Sequence, residues 1–284
     1  MAIKAGLTPF AEAPVLFAAF RYDLAGLLML GYAIVTVDQW RPRSRPEWLV
    51  VLVGGAFMIA GYHAFLFVGE LTTTSAVAAV VVSLSPILTT GFARIFLPGR
   101  ALSRQGLLGL GLGLVGVVVI AQPDPAALLE SGLGEFLVFM AALSFALGSV
   151  LATTADTALP IETMEAWSMV LGAVFLHAIS LGLGERLASV AWSGEALLSL
   201  GYLSVVASAL GFLIYFDLLE RLGPVEINLV SYAAPIWAAL AGWLALGESV
   251  TAATVLGFVV ILVGFWLIKR EAIGRELGRL LERR

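Results

Sequence analysis

The sequence predicts an all-α integral membrane protein. It reads as ten transmembrane helices in two inverted five-helix repeats, with the first helix truncated and nine spans complete. Three observations carry that prediction. Sixty per cent of the 284 residues are hydrophobic, 13% are charged, and the mean hydropathy is +1.00, whereas a soluble domain is about a quarter charged. The run Ser83–Ile120 is echoed by Ser231–Ile268: Pro86 matches Pro235 at an offset of 149, and Gly109 and Gly116 match Gly257 and Gly264 at 148. Basic residues collect in alternate loops. A duplicated apolar unit marks two structural halves with a pathway between them.

A bilayer span needs about 20 mostly apolar residues. The candidates are Pro14–Val37, Trp48–Gly69, Thr72–Leu97, Arg104–Ala121, Gly134–Asp156, Thr163–Gly184, Glu195–Leu219, Pro224–Leu246 and Thr251–Ile268. Their separators are short and carry Pro, Gly and charge, and Ser103 and Thr251 stand where N-caps belong. Gly26 aligns with Gly172 at an offset of 146, so Pro14–Val37 is the counterpart of Thr163–Gly184. Gly134–Asp156 then needs a counterpart before Pro14, where Met1–Leu7 supplies only a stub. The expectation is a first helix shortened by ~15–20 residues, through truncation of the chain or a misassigned start codon; a nine-helix protein is the alternative. The stub has neither the basic n-region nor the apolar h-region of a secretory signal. The first repeat is expected over 1–125, the second over 130–268, and a basic tail over 269–284.

Thirteen of the sixteen Lys and Arg residues fall in the loops after the second, fourth and eighth helices and in the tail. The positive-inside rule therefore places both termini in the cytoplasm, with the chain multi-pass in the cytoplasmic membrane. Five helices is an odd number, so the second repeat enters the bilayer upside down. The tail reads as a short cytoplasmic helix of alternating charge, resting on anionic headgroups. The chain has no cysteine and two histidines, which excludes disulfides and thiolate metal sites and leaves little for an imidazole cluster. No cofactor, metal or nucleic-acid partner is expected. The partners are the lipid bilayer and a small-molecule solute.

Several marks together resemble the EamA family of the drug/metabolite transporter superfamily. They are the five helices repeated twice, a proline in the fourth helix of each half, a Gly-rich fifth helix, the MAIKAGL stub, LFAAFRYDLAGLLML with Arg21, and VSLSPILTT followed by a charged turn and GLLGLGLGLVGVVVI. The resemblance covers essentially the whole chain. It implies a secondary transporter that exports or exchanges amino acids and other small metabolites by alternating access. A channel or lipid translocator of the same architecture is the alternative. The chain departs from the family in lacking most of helix 1, which there lines the central cavity.

Candidate site residues follow from the cost of polarity at membrane depth. Arg21 lies inside a span, where a charge costs at least ~2.5–3.5 kcal/mol, so it should face the bundle interior with a partner. It is either an anchor for a substrate carboxylate, a role that suits a planar and permanently charged guanidinium, or a member of an internal pair with Asp23 or a freed carbonyl. Tyr62 and His63 sit mid-span; His63 either takes up a proton that couples flux or bonds a neighbouring carbonyl or hydroxyl. Pro86 and Pro235 each free the carbonyl four residues back, at Val82 and Ser231, and read as hinges. Ser83 and Ser85 in one half, and Asn228, Ser231 and Tyr232 in the other, are polar neighbours placed to satisfy them. Asn228, Tyr232 and Pro235 form one helical stripe. Trp167, the repeat counterpart of Arg21, is expected as an aromatic wall of the same cavity, with Tyr202, Tyr215 and Trp237 as further candidates. Trp40, Trp48, Trp192 and Trp266 read as interfacial anchors. Gly109, Gly113, Gly116, Gly257 and Gly264 offer small faces for close contact within the fold or between two copies in a homodimer.

Overall fold

The computed structural model describes residues 10–73, 75–97, 103–122, 132–155, 157–190, 192–233 and 251–282, all helical or irregular, with no strand among them. The helices are α1 (Pro14–Thr36), α2 (Arg45–Glu70), α3 (Ser75–Val82), α4 (Ser85–Phe96), α5 (Arg104–Ala121), α6 (Leu133–Ala152), α7 (Ile161–Leu183), α8 (Gly194–Leu222), α9 (Pro224–Asn228) and α10 (Ala252–Glu282). Among the described residues six helical stretches are long and apolar enough to cross a membrane, with α3 and α4 counted together over Val77–Phe96; the apolar parts of α5 and α10 are shorter. The stub Met1–Leu7, Arg100, Pro235, Trp237 and most of the expected span Pro224–Leu246 lie outside the described residues.

Helix starts follow local chemistry. Ser44, Ser103, Ser193 and Thr251 each accept a backbone N–H three residues on, which satisfies one of the donors a helix N-terminus leaves open. α1 has Pro14 in its first turn and no side-chain cap from Ala13. Its N-terminus is capped from α7's far end instead: Glu185 accepts from the N–H of Val15 at 3.1 Å and of Leu16 at 2.7 Å, and Ser180 donates to the same carboxylate. Glu185→Ala is expected to lower stability by about 1–2 kcal/mol, read as a lower thermal midpoint in detergent; an unchanged midpoint would remove the cap from the account.

α10 does not stop at the apolar boundary but runs on to Glu282. The expected separate tail helix is thus a continuation of the last span, because residues 269–282 contain good helix formers and no proline.

Two helices depart from regular α geometry. α2 carries π-helical turns over Gly54–Gly61, and α8 carries them over Leu203–Leu210. The two segments have equal length and begin 149 residues apart, the offset that also relates Pro86 to Pro235. A π turn widens the helix and releases carbonyls from the regular ladder. In α2 those carbonyls are taken up: Phe57 accepts from Ser144 of α6 at 2.7 Å and Ile59 from His63 at 2.9 Å. Gly54 and Gly55 let this stretch lie against Ser168 and Leu171 of α7.

The main core is built from α1, α2, α6, α7 and α8, with Phe17, Met58, Ile59, Phe67, Met169 and Phe216 among its fully buried side chains. α1 and α7 pack antiparallel, as Asp23 meets His177 and Gly26 meets Met169 and Val170. α5 and α10 form a second antiparallel seam. A Cβ on Gly109 would lie 2.5 Å from the Gly264 carbonyl oxygen, and one on Gly264 would lie 2.6 Å from that of Gly109. Gly116 and Gly257 repeat the exchange at 2.7 and 2.6 Å.

Candidate functional site

Arg21 points into the bundle and is 4% exposed. Its Nε donates to the Ser208 hydroxyl in the π-helical turns of α8 at 2.6 Å, and its guanidinium lies 5.3 Å from the Tyr22 ring centre. Among the described residues no carboxylate pairs with it, and its terminal nitrogens have no hydrogen-bond partner. Asp23, the internal partner weighed from the sequence, pairs with His177 at 2.7 Å instead; two residues along a helix turns it to another face.

His63 is buried beside this cation. The Ile59 carbonyl can only accept, so Nδ1 donates to it. The neutral ring's Nε2 then accepts from the Tyr22 hydroxyl, also at 2.9 Å. Both ring nitrogens are therefore engaged. Tyr62 packs edge-on against His63 at 4.7 Å and, tilted, against Phe145 of α6 at 5.0 Å, and Phe145 meets Tyr215 of α8 at 5.2 Å. The result is a continuous aromatic shelf leading away from Arg21.

The shelf ends at a second polar node. Asn228, in the short α9, donates to Thr89 of α4 and Ser149 of α6 at 2.9 Å each, and accepts from the Tyr215 hydroxyl at 3.0 Å. Both amide hydrogens are committed, so in this conformation Asn228 ties four helices together.

Pro86 sits in the first turn of α4, just after a break at Ser83 and Leu84. Ser85 donates to the carbonyl of Val82 at 2.7 Å, while Ser83 bonds Ala79. The carbonyl that Pro86 leaves without an N–H is thus satisfied locally by a serine hydroxyl.

Two expected members stand elsewhere. Tyr232 does not share a stripe with Asn228. The backbone tightens after α9, with Leu229 bonding Glu226 and Tyr232 bonding Leu229, and this breaks the i, i+4 register. Tyr232 covers Gly113 and donates to the Leu110 carbonyl of α5 at 2.9 Å. Trp167 does not wall the Arg21 site either. α1 and α7 run antiparallel and each residue lies near the start of its helix, so the two sit at opposite ends of the pair. Trp167 bonds the Trp40 carbonyl and stacks edge-on with Trp48. It lines a cavity of about 530 Å³ together with Trp40, Arg41, Pro42, Arg43 and Trp48. The sequence reading missed Tyr22, Ser208, Thr89 and Ser149: Ser208 and Ser149 are single polar residues in apolar runs, Tyr22 is flanked by the charges of Arg21 and Asp23, and Thr89 is one of two adjacent threonines, none of them a periodic signal.

A buried cation, an aromatic shelf and a polar node between packed helices suit recognition of a small solute with an anionic end. Comparison with known proteins agrees with the architecture. The model of the EamA-like transporter family matches residues 4–122 and again residues 132–270. The chain belongs to the EamA-like transporter family. An uncharacterized transporter of Archaeoglobus fulgidus is 29% identical over 93% of this chain and 90% of its own length. The uncharacterized transporter YvbV of Bacillus subtilis is 26% identical, over 94% and 86% respectively. The uncharacterized inner membrane transporter YedA of Escherichia coli K12 is 27% identical, over 88% and 81%. One solved crystal structure superposes with a TM-score of 0.75 at 23% identity, covering 95% of each chain; at that identity the likeness concerns the fold. As a member of this family, the chain is a multi-pass membrane protein of the transporter class.

Proposed function

We propose that this protein is a secondary transporter that exports or exchanges small carboxylate-bearing metabolites, amino acids among them, by alternating access between two inverted five-helix halves. The observation that carries the proposal is Arg21, a buried guanidinium whose terminal nitrogens face no protein partner among the described residues. A solute carboxylate is the bidentate partner that fits such a fork. The solute body would lie along Tyr22, Tyr62 and His63. Several observations support inverted halves: the π-helical turns recur at one offset, the α5–α10 glycines exchange contacts reciprocally, and the family model matches twice in succession. The arginine-rich loops and the C-terminal tail are cytoplasmic in this reading. The chain has no Gly-rich phosphate loop, so net transport draws on an ion or solute gradient.

The test is counterflow of radiolabelled amino acids and organic acids into proteoliposomes carrying the purified protein. Saturable exchange of at least one carboxylate solute is the expected result. Conductance or lipid flipping without saturation would replace this reading with a channel or lipid translocator, and the absence of flux for every solute would count against it.

A further inference from the structure

Glu165 lies in the second turn of α7, is 0% exposed, and has no hydrogen-bond partner for either carboxylate oxygen. Three polar neighbours in sequence are engaged elsewhere. Thr163 donates to the Gln39 carbonyl, Trp167 to the Trp40 carbonyl, and Ser168 to the Val51 carbonyl. The first two bonds strap the loop between α1 and α2 across this end of α7, two residues before and two after Glu165. Glu165, Ser168, Met169 and Gly172 share one helical stripe, and that stripe meets Gly26 of α1 and Gly54 and Ile59 of α2. α8 also packs on α7.

The charged and titratable groups on these elements do not neutralise it. Glu162 on its own helix carries the same sign, and Tyr22 of α1 is within electrostatic reach. Arg21 hydrogen-bonds Ser208 and, like Arg41 and Arg43 of the strapping loop, makes no ion pair with Glu165 among the described residues; Arg41 lies over the Trp40 ring, His63 is bonded to Tyr22 and Ile59, Asp23 to His177, and Asp217 of α8 to Arg221. An enclosed carboxylate without donors is costly, and an ionisable residue at membrane depth marks an ion or solute path. A bound metal cation would need several oxygen ligands, and the Thr163 and Ser168 hydroxyls are directed to carbonyls.

We propose that Glu165 carries the coupling proton of the transport cycle. Its carboxylate takes up a proton from water on one side and holds it, as the neutral acid, while the strap is closed. It returns the proton to water on the arginine-rich side when the loop lifts from Thr163 and Trp167. The inference rests on the transporter reading, and two measurements keep the failures of the two apart.

The first is infrared spectroscopy of the reconstituted full chain, wild type against Glu165→Gln. Wild type is expected to show a protonated-carboxyl stretch at neutral pH that the variant lacks and Glu165→Asp restores. Identical spectra for wild type and Glu165→Gln would overturn the proposal. The second is transport of alanine, leucine, phenylalanine, glutamate and succinate. A one-unit pH gradient supports up to about tenfold accumulation for one proton per solute. Wild type should approach that for a transported probe. Glu165→Gln should show no accumulation yet keep counterflow. Accumulation equal to wild type, or loss of counterflow together with accumulation, would overturn coupling through Glu165. Wild type without counterflow for any probe would sink the transporter reading and coupling with it, while the infrared result would still report whether Glu165 holds a proton.

Discussion

An Arg21→Ala protein is expected to lose most carboxylate-solute binding and counterflow. A hydrogen bond to a charged group contributes about 1.5–3 kcal/mol, which corresponds to a loss of about 10- to 100-fold. Arg21→Lys keeps the charge but not the planar fork, so its loss should be intermediate. Ser208→Ala separates anchoring from recognition. It removes the 2.6 Å bond that holds Nε and leaves the cation, so it should cost about 1 kcal/mol of stability and less binding than Arg21→Ala. The measurement is the rise in thermal midpoint with added carboxylate solute, alongside counterflow. If carboxylates raise the midpoint of wild type and Arg21→Ala equally, Arg21 serves the fold and the solute binds elsewhere.

The parts of this architecture that were legible in the sequence depend on local chemistry or on the cost of polarity in lipid. Six of the span positions follow from apolar length, the caps at Ser103 and Thr251 from hydroxyls at helix starts, and the break before α4 from Pro86. The interior placement of Arg21 follows because a guanidinium facing lipid is too costly to keep. What escaped depends on groups that cross between helices. No propensity of Gly54–Gly61 or Leu203–Leu210 announces π-helical turns. In α2 they are held by the bonds that Ser144 and His63 make to the released carbonyls. The repeat alignment pairs Arg21 with Trp167, but α1 and α7 run antiparallel and the two residues lie at opposite ends of the pair. The Asn228–Tyr232 stripe assumed an unbroken helix, and the tightened turns at Leu229 remove it. Glu165 had no signal beyond being an acid in a span.

Alanine at Gly109, Gly116, Gly257 or Gly264 is expected to destabilise the protein by about 1–3 kcal/mol each. The atom each new Cβ meets is a backbone carbonyl oxygen of the facing helix, 2.5–2.7 Å away, and backbone cannot rotate aside as a side chain can. In lipid no hydrophobic gain from water holds two helices together, so close packing is the main attraction between them. A gap of 0.5–1 Å forfeits roughly a quarter to a half of each dispersion contact along the seam. Gly111 is the control, since a Cβ there meets nothing within 4 Å. Gly111→Ala should be neutral or stabilising by up to ~1 kcal/mol, because alanine is the better helix former. The reciprocity of the contacts makes a sharper demand. Gly109→Ala and Gly257→Ala, matched in the sequence repeat, should cost the same within about 0.5 kcal/mol. The facing pair Gly109 and Gly264 should cost less together than the sum of the two, because the first substitution already parts the helices. Unfolding by dodecyl sulfate in mixed micelles measures all of these. Equal costs at Gly109 and Gly111 would mean that α5 does not meet α10 through this face. Unequal costs at Gly109 and Gly257 would count against a two-fold relation across the seam.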